Sequence, residues 1–453
     1  MITSSNPLDP SDVLAEISED SAADVARKAA LARKAQPEWA RNAAARSAAL
    51  TRAAADIEQH ATELADLVVR EVGKPIVEAE GEVARTAAVL RYHAQAALAA
   101  TGDVYPPADG IGMLLSRRSP RGTVGLITPF NFPLAIPAWK AGPALALGNA
   151  VLLKPSPLAL ACAIRLVELI AARLPDDVLQ LCPGDGETGQ ALLSEVDALS
   201  FTGSTTAGRA VAAAAARASL PVQTENGGHN SAIVLPDVDV DAVAAVVARD
   251  VVGYAGQKCT STRRVVVCGD AGQFSEALAD ALASLTVGDP SRRNVVAGPV
   301  ITAAAAASLN ANVEACRAPG VAVRRAAAPD GPAFVAPTVV ADDDGVSLPA
   351  REEMFGPIVV VQSVPDVDRA VAVANAGSAR LVAAVHTRDL DRALAIADQL
   401  RSGMVRVNAP TTGVDLHAPF GGEGDSGYGP REQGRAADAL FSVERTVTVR
   451  PAS

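Results

Sequence analysis

The rhythm of apolar and polar positions changes several times along the chain. Residues 21–99 are rich in Ala, Arg, Glu and Leu, which predicts helices with breaks near Pro37 and Pro75. Gly and Pro then mark residues 101–121, a stretch ending in the polar–apolar alternation of residues 113–118, which predicts an exposed hairpin or arm. Short apolar runs follow at residues 123–128, 151–154, 178–182, 198–202, 222–225 and 231–235. Helical stretches at 138–147, 158–174, 186–193 and 208–218 separate them. Repeated strand–helix units of this kind predict a doubly wound parallel sheet. A second alternating set follows Cys259, with strands at 265–268, 358–361, 381–386 and 404–408 and helices at 274–285 and 390–400. It predicts a second α/β domain. The Ala/Pro/Asp-rich residues 326–344 read as surface loop.

A length of 453 residues suggests two or three domains. With 49% apolar but only 3% aromatic residues, the core is expected to consist of Ala, Val and Leu. A net charge of −11 argues against nucleic acid or an anionic membrane as partner. The polar opening Met1-Ile2-Thr3-Ser4-Ser5 does not read as a signal peptide, and no apolar run reads as a membrane span. Five scattered cysteines without a CxxC pair fit a reducing cytoplasm, with no disulfide framework and no metal site. Cys162 and Cys268 sit in apolar stretches and read as small core residues.

Cys259 is different. It follows a glycine turn in Gly256-Gln257-Lys258-Cys259-Thr260, and Glu225 lies upstream in Gln223-Thr224-Glu225-Asn226-Gly227-Gly228. A thiol and a carboxylate in glycine-rich settings suggest a nucleophile and a base, suited to covalent capture of a carbonyl carbon and hydrolysis of the thioester. Thr128-Pro129-Phe130-Asn131-Phe132-Pro133 follows a predicted strand, and two prolines stiffen a loop whose Asn131 amide is a good oxyanion donor. Gly203-Ser204-Thr205 ends a strand before the helix opened by Gly208, a setting for a phosphate or for a plain helix cap. Lys154-Pro155-Ser156 closes a strand from which a lysine can reach a ribose or phosphate. Gly184-Asp185-Gly186-Glu187-Thr188-Gly189 matches GxGxxG, but its acidic residues and its place after a later strand favour an ordinary βα turn.

Together and in this order, with Gly73-Lys74-Pro75 early and Pro419-Phe420-Gly421-Gly422 late, these motifs resemble the aldehyde dehydrogenase superfamily over nearly the whole chain. The resemblance implies roles for the matching residues. Cys259 is the nucleophile, Asn131 and the Cys259 backbone N–H hold the oxyanion, and Glu225 activates water. Lys140 and Glu432 match positions of a proton relay. Thr128, Pro129, Phe130, Lys154, Ser156, Gly203, Ser204, Gly208, Glu353 and Phe355 line the place of NAD or NADP. The implied layout is a cofactor domain (1–100 and 121–226), a catalytic domain (227–430) and a small β oligomerisation arm (101–120 and 431–453) that builds a homodimer or homotetramer. The partner is a small-molecule aldehyde.

Four departures from the family pattern stand out. Pro157 occupies the place of a ribose-binding glutamate, which makes NADP acceptable. Asn226 and His229 replace an apolar residue and a lysine, placing polar groups near Glu225. Lys258 precedes the nucleophile, where a nearby ammonium would lower the thiol pKa. The short N-terminal segment is expected to lack the family's opening hairpin. Within the superfamily, residues 223–225, 256–259, 413–415 and 429–434 look most like α-ketoglutaric semialdehyde dehydrogenases, which implies a short aldehyde acid as substrate. Glu423 and Asp425 weigh against an anionic substrate if their loop lines the entrance. The rival readings are a CoA-acylating dehydrogenase, a non-catalytic binding relative and a Cys–His hydrolase. Retention of Glu225 opposes the first, retention of Cys259 and Asn131 the second, and the lack of a motif-placed His the third.

Overall fold

The computed structural model describes residues 1–316 and 318–452. The chain opens with an antiparallel hairpin, β1 (Ile2–Asn6) and β2 (Asp9–Ile17). This corrects the expectation that no opening hairpin exists. The Asn6 side chain accepts from the Leu8 N–H at 3.0 Å to close the turn, and Asp12 grips Arg70 at 2.6 Å. Its strands are mostly polar, so no apolar alternation announces them.

Helices α1 (Ala22–Arg41), α2 (Ala43–Gln59), α3 (Ala61–Val72) and α4 (Ile76–Ala96) follow. Helix α1 runs through Pro37 and ends at Asn42, whose side chain accepts from the Ala45 N–H at 3.0 Å to start α2. After β3 (Val104–Tyr105) and β4 (Met113–Pro120) come the βα units. These are β5 (Thr123–Ile127), α5 (Ala135–Ala146), β6 (Ala150–Lys154), α6 (Leu160–Ala171), β7 (Leu179–Leu181), α7 (Gly186–Glu195), β8 (Ala198–Thr202), α8 (Thr205–Arg217) and β9 (Val222–Glu225).

A second series runs β10 (Ser231–Val234), α9 (Val240–Val252), β11 (Arg264–Cys268), α10 (Gly272–Ala283), α11 (Ala303–Glu314), β12 (Ala322–Arg325), β13 (Thr338–Ala341), α12 (Leu348–Arg351), β14 (Ile358–Val364) and α13 (Val367–Asn375). It continues through β15 (Ala379–Arg380), β16 (Val382–His386), α14 (Leu390–Ala397) and β17 (Met404–Val407). The chain finishes with β18 (Glu423–Gly424), β19 (Gly427–Tyr428), α15 (Asp438–Phe441) and β20 (Ser442–Val449). Strand β13 lies inside the stretch expected to be surface loop. It is buried because it pairs in parallel with β14, Thr338 opposite Ile358.

The first sheet has the order β19-β9-β8-β5-β6-β7, parallel except for β19. The chain winds outward from β5 to β7 and returns through β8 to β9. Its switch point therefore falls between the carboxyl ends of β5 and β8, the usual ligand crevice of such a sheet. The second sheet, β12-β13-β14-β11-β10-β16-β17, is parallel except for β12. All residues of β5, β6, β8, β10 and β11 are buried, as strands covered on both faces must be. A third sheet, β20-β4-β3, is separate from the other two, and Val104, Tyr105, Met113, Val447 and Val449 on it are exposed. Among the described residues no helix is long and apolar enough to cross a membrane.

Candidate active site

Strands end and helices begin around one crevice. The Thr128–Asn131 loop leaves β5, Lys154 ends β6, and Gly203-Ser204 leads from β8 into α8. Thr128, Pro129, Phe130, Asn131, Lys154, Ser156, Gly203, Ser204, Cys259, Glu353 and Phe355 all line one cavity of about 560 Å³. A neighbouring groove of about 710 Å³ shares Lys154, Asp185 and Ala207 with it and continues along α7 and α8. Gly208 stands beside it: a Cβ there would collide with the Asn226 amide. Residues of the GxGxxG match form the turn from β7 to α7 and wall the groove, and the Gly184 carbonyl accepts from Lys154 Nζ at 2.9 Å.

The crevice fits a dinucleotide. Ser204 caps α8 by accepting from the Ala207 N–H at 3.3 Å, so the free N–H groups and positive end of that helix face the cavity. Burial of Lys154, outweighing Asp185, Cys182 and Glu19, pulls its ammonium below the usual lysine range. The buried Thr128 Oγ1 and Thr202 Oγ1 have no hydrogen-bond partner within the protein, and Glu353 Oε1 faces Arg263 at 3.7 Å. Phe130 and Phe355 pack edge to face on the cavity wall, with ring centres 6.1 Å apart.

Cys259 is half-buried on a strained loop. Tyr254 and Ala255 have φ of 53° and 52°, and Gly256 has φ of 68°. A Cβ on Gly256 would strike the Gly356 carbonyl. The fully buried Arg263 holds this loop by donating to the carbonyls of Gly256 at 2.6 Å, Lys258 at 3.1 Å and Gly356 at 2.9 Å. Asn230 donates to the Cys259 carbonyl at 2.7 Å. Burial, then Glu353 and Glu225, push the Cys259 thiol up to about 12, against the pull of Arg263. The Lys258 ammonium pairs with Glu78 at 2.7 Å, so the condition under which it would lower the thiol pKa, an ammonium beside the sulfur, gives way to an ion pair with α4.

Asn131 is 3% exposed, and one amide N–H donates to the Gln257 carbonyl at 2.9 Å, which fixes the direction of the other. The Asn131 main-chain carbonyl accepts from Lys74 Nζ at 2.7 Å, and Lys74 pairs with Glu82. Lys74 had been visible only as part of a motif; the structure gives it this supporting place.

Glu225 ends β9. Gln223 Nε2 donates to Glu225 Oε1 at 2.9 Å, and the Gly422 N–H donates to Oε2 at 3.2 Å. Burial and the charge of Glu432 push its carboxyl well above the usual range, opposed by Lys140, Gln223 and Gly422. Lys140 pairs with Glu432, which also accepts from Trp139 Nε1 at 3.1 Å. The three residues expected to share proton chemistry therefore stand together, behind the cavity. Asn226 Nδ2 donates to the Asp425 carbonyl at 2.9 Å. His229 is turned away: it bonds the Pro349 carbonyl at 2.9 Å and Arg264 at 3.1 Å, and burial and Arg264 hold it neutral, down to about 3. The expected grouping of His229 with Glu225 is thus replaced by a structural contact to α12.

Arg263, Gln223, Ser200 and Glu82 were not singled out from sequence. The available signal was polarity out of place: Arg263 and Arg264 stand at the start of an apolar run, Arg264 opening β11, and Gln223 and Ser200 interrupt buried strands. The other cysteines (Cys162, Cys182, Cys268 and Cys316) are buried.

Residues 1–447 match the family model described as "Aldehyde dehydrogenase family". The chain is 35% identical to the alpha-ketoglutaric semialdehyde dehydrogenase of Bacillus subtilis, covering 100% of this chain and 95% of that protein. It is also 35% identical to the benzaldehyde dehydrogenase [NAD(+)] of Pseudomonas putida, covering 98% and 93%. The solved glyceraldehyde-3-phosphate dehydrogenase of Methanocaldococcus jannaschii, complexed with NADP, superposes with a TM-score of 0.94 at 28% identity, covering 100% of this chain and 99% of that one.

Proposed function

The chain belongs to the aldehyde dehydrogenase family, and from that premise we propose that Cys259, Asn131 and Glu225 carry out its NAD(P)-dependent oxidation of an aldehyde to a carboxylic acid. The Cys259 sulfur, once deprotonated, bonds to the aldehyde carbon. The former carbonyl oxygen takes up the negative charge and is held by the second Asn131 amide N–H and the Cys259 backbone N–H. What the nicotinamide cofactor supplies when bound is an acceptor for the hydride lost from that carbon, which leaves a thioester on Cys259. Glu225 takes a proton from water, the water oxygen bonds to the thioester carbon, and the Cys259 sulfur leaves. Lys140 and Glu432 then exchange that proton with Glu225. Ser204, Gly203 and the α8 N-terminus would hold the pyrophosphate, Lys154 and Ser156 the adenosine ribose, and Glu353 the nicotinamide ribose, with Phe355 and the Thr128–Phe130 loop packed alongside.

The observation that carries this reading is the convergence of Cys259, Asn131, Ser204 and Glu353 on one cavity with Glu225 directly behind it. Residues 1–100 and 121–226 form the cofactor part in this reading, residues 227–430 the catalytic part, and the arm mediates self-association. The place of a ribose-binding carboxylate is taken by Pro157, on the cavity wall, which supports use of NADP as well as NAD. The unpaired, scattered cysteines support a cytoplasmic setting. The semialdehyde relative supports a short aldehyde acid as substrate. A second reading rests on the walls near Cys259: Val414 and Phe420 pack beside it, with Phe132, Trp139 and Leu416 next to them, and such surfaces favour an uncharged, apolar aldehyde.

The test is a panel of aldehydes with NAD and NADP, followed by reduced-cofactor absorbance. Activity should vanish in Cys259→Ala. Glu225→Gln should keep a single-turnover burst of reduced cofactor while steady turnover collapses; full steady turnover in that variant would refute the base assignment. Preference for 2,5-dioxopentanoate over benzaldehyde decides between the substrate readings.

A further inference from the structure

We propose that Gln223 is the positioning residue of Glu225: its amide, oriented by Lys140 and Ser200, holds the resting carboxylate and sets the pH at which it becomes a base. This rests on the reading of Glu225 as the base that deacylates Cys259.

The placement follows from strand geometry. Gln223 and Glu225 are two apart on β9, so their side chains leave the same face. The parallel register sets Ser200 of β8 opposite Gln223. Gln223 Oε1 then accepts from Ser200 Oγ at 2.6 Å and from Lys140 Nζ at 3.5 Å, while Lys140 also donates to Ser200 Oγ at 2.6 Å. Lys140, Ser200 and Gln223 are each 1% exposed, so water does not take over these bonds. A flipped amide would turn its NH₂ toward an ammonium, so the network itself selects the orientation that aims Nε2 at Glu225. The Gln223 amide thus passes the polarity of Lys140 to a carboxylate that Lys140 does not touch. With the Gly422 N–H on the other oxygen, the carboxylate lies behind the cavity lining rather than in it.

The groups facing Glu225 come from several elements. Glu432 and burial favour its protonated form. Lys140 from α5, Gln223 from β9 and the Gly422 N–H favour the ionised one. Cys259 faces it across the cavity edge, and Arg431 shares with it the space beside Gly421. Among these, Gln223 is the side chain that donates a hydrogen bond to the carboxylate, so removing its N–H raises the pH at which Glu225 ionises.

The experiment compares Gln223→Leu and Ser200→Ala with the unaltered enzyme. In Gln223→Leu the acid limb of the kcat–pH profile should move up by about one unit, lowering kcat roughly tenfold on the acid side. The single-turnover burst should keep its amplitude and rate. Ser200→Ala, which loosens the amide without deleting it, should shift the limb the same way by less. Infrared pH titration of the cofactor-free protein supplies a readout independent of turnover: the carboxyl band removed by Glu225→Gln should titrate higher in Gln223→Leu. An unmoved limb and band with uniformly lower rates would overturn the proposal, and if Gln223→Leu does not fold, Ser200→Ala decides in the same way. Loss of the burst in Glu225→Gln would instead refute the function on which the proposal rests.

Discussion

Lys74 offers a test of how Asn131, the proposed oxyanion donor, is held. Lys74 and Glu82 pair with side chains 0% and 1% exposed. The Lys74 ammonium also donates to the Asn131 carbonyl at 2.7 Å and lies 3.8 Å from the centre of the Phe132 ring. Glu82 uses its other oxygen to accept from the N–H groups of Leu134 at 2.9 Å and Ala135 at 3.1 Å, which start α5. Lys74→Met keeps the side-chain volume but leaves a buried carboxylate without a countercharge, so it should cost about 3–5 kcal/mol. Glu82→Gln keeps an acceptor for α5 but strands the ammonium, at a similar cost. The double variant removes both charges and should be more stable than the sum of the single effects predicts, by about 2–3 kcal/mol. Chemical denaturation of all four proteins completes the cycle. Released from Lys74, the Asn131 loop should also misplace its amide and lower kcat/KM by roughly a hundredfold. Additive costs, or a loss below about 1 kcal/mol in Lys74→Met, would refute the argument.

Other outcomes follow from the same geometry. Burial raises the Glu353 carboxyl to about 6 from 4.5, so its ionised form burdens the cofactor-free fold increasingly between those two values and fully above pH 6, and the burden disappears below the unfolded value. Glu353→Gln should therefore stabilise the protein by about 2 kcal/mol at pH 8 and by almost nothing at pH 3.5, below the unfolded value. The same variant removes a charge that opposes the Cys259 thiolate, so alkylation by iodoacetamide should quicken about threefold; an unchanged rate would refute that coupling. Gly256→Ala combines a φ of 68° with a clash at Gly356 and should cost about 1–3 kcal/mol, with a slower burst of reduced cofactor. Val104→Asp with Val447→Asp should lower the mass measured by light scattering, since exposed arm residues are the proposed self-association surface; an unchanged mass would refute that.

The sequence pattern announced the parallel strands well because their burial on both faces leaves unbroken apolar runs. Cys259, Asn131, Ser204 and Lys154 were legible through local motifs and Glu353 through the family resemblance alone, and the structure gathers them into one cavity. What could not be read depends on partners distant in sequence. Strand β13 is four residues between prolines and acids, and only its neighbour β14 makes it a strand. Pro37 was a poorer helix stop than Asn42 because a capping side chain defines where the next helix starts. Ser200 and Gln223 acquire meaning only from the β8–β9 register, and Arg263 only from the carbonyls it gathers. The place of the Lys258 ammonium depends on a distant partner in the same way: adjacency sets its backbone beside Cys259, and its side chain pairs with Glu78.

Strand β19 joins the first sheet beside β9, and Gly422 and Glu432 complete the surroundings of Glu225 from far downstream, Gly422 by 197 residues. During synthesis the thiol and the base emerge long before the segment that finishes their setting. Contacts so distant along the chain carry a large loop-closure cost and are slow to close. Competence for turnover should therefore be the last property to appear in refolding, trailing the recovery of secondary structure.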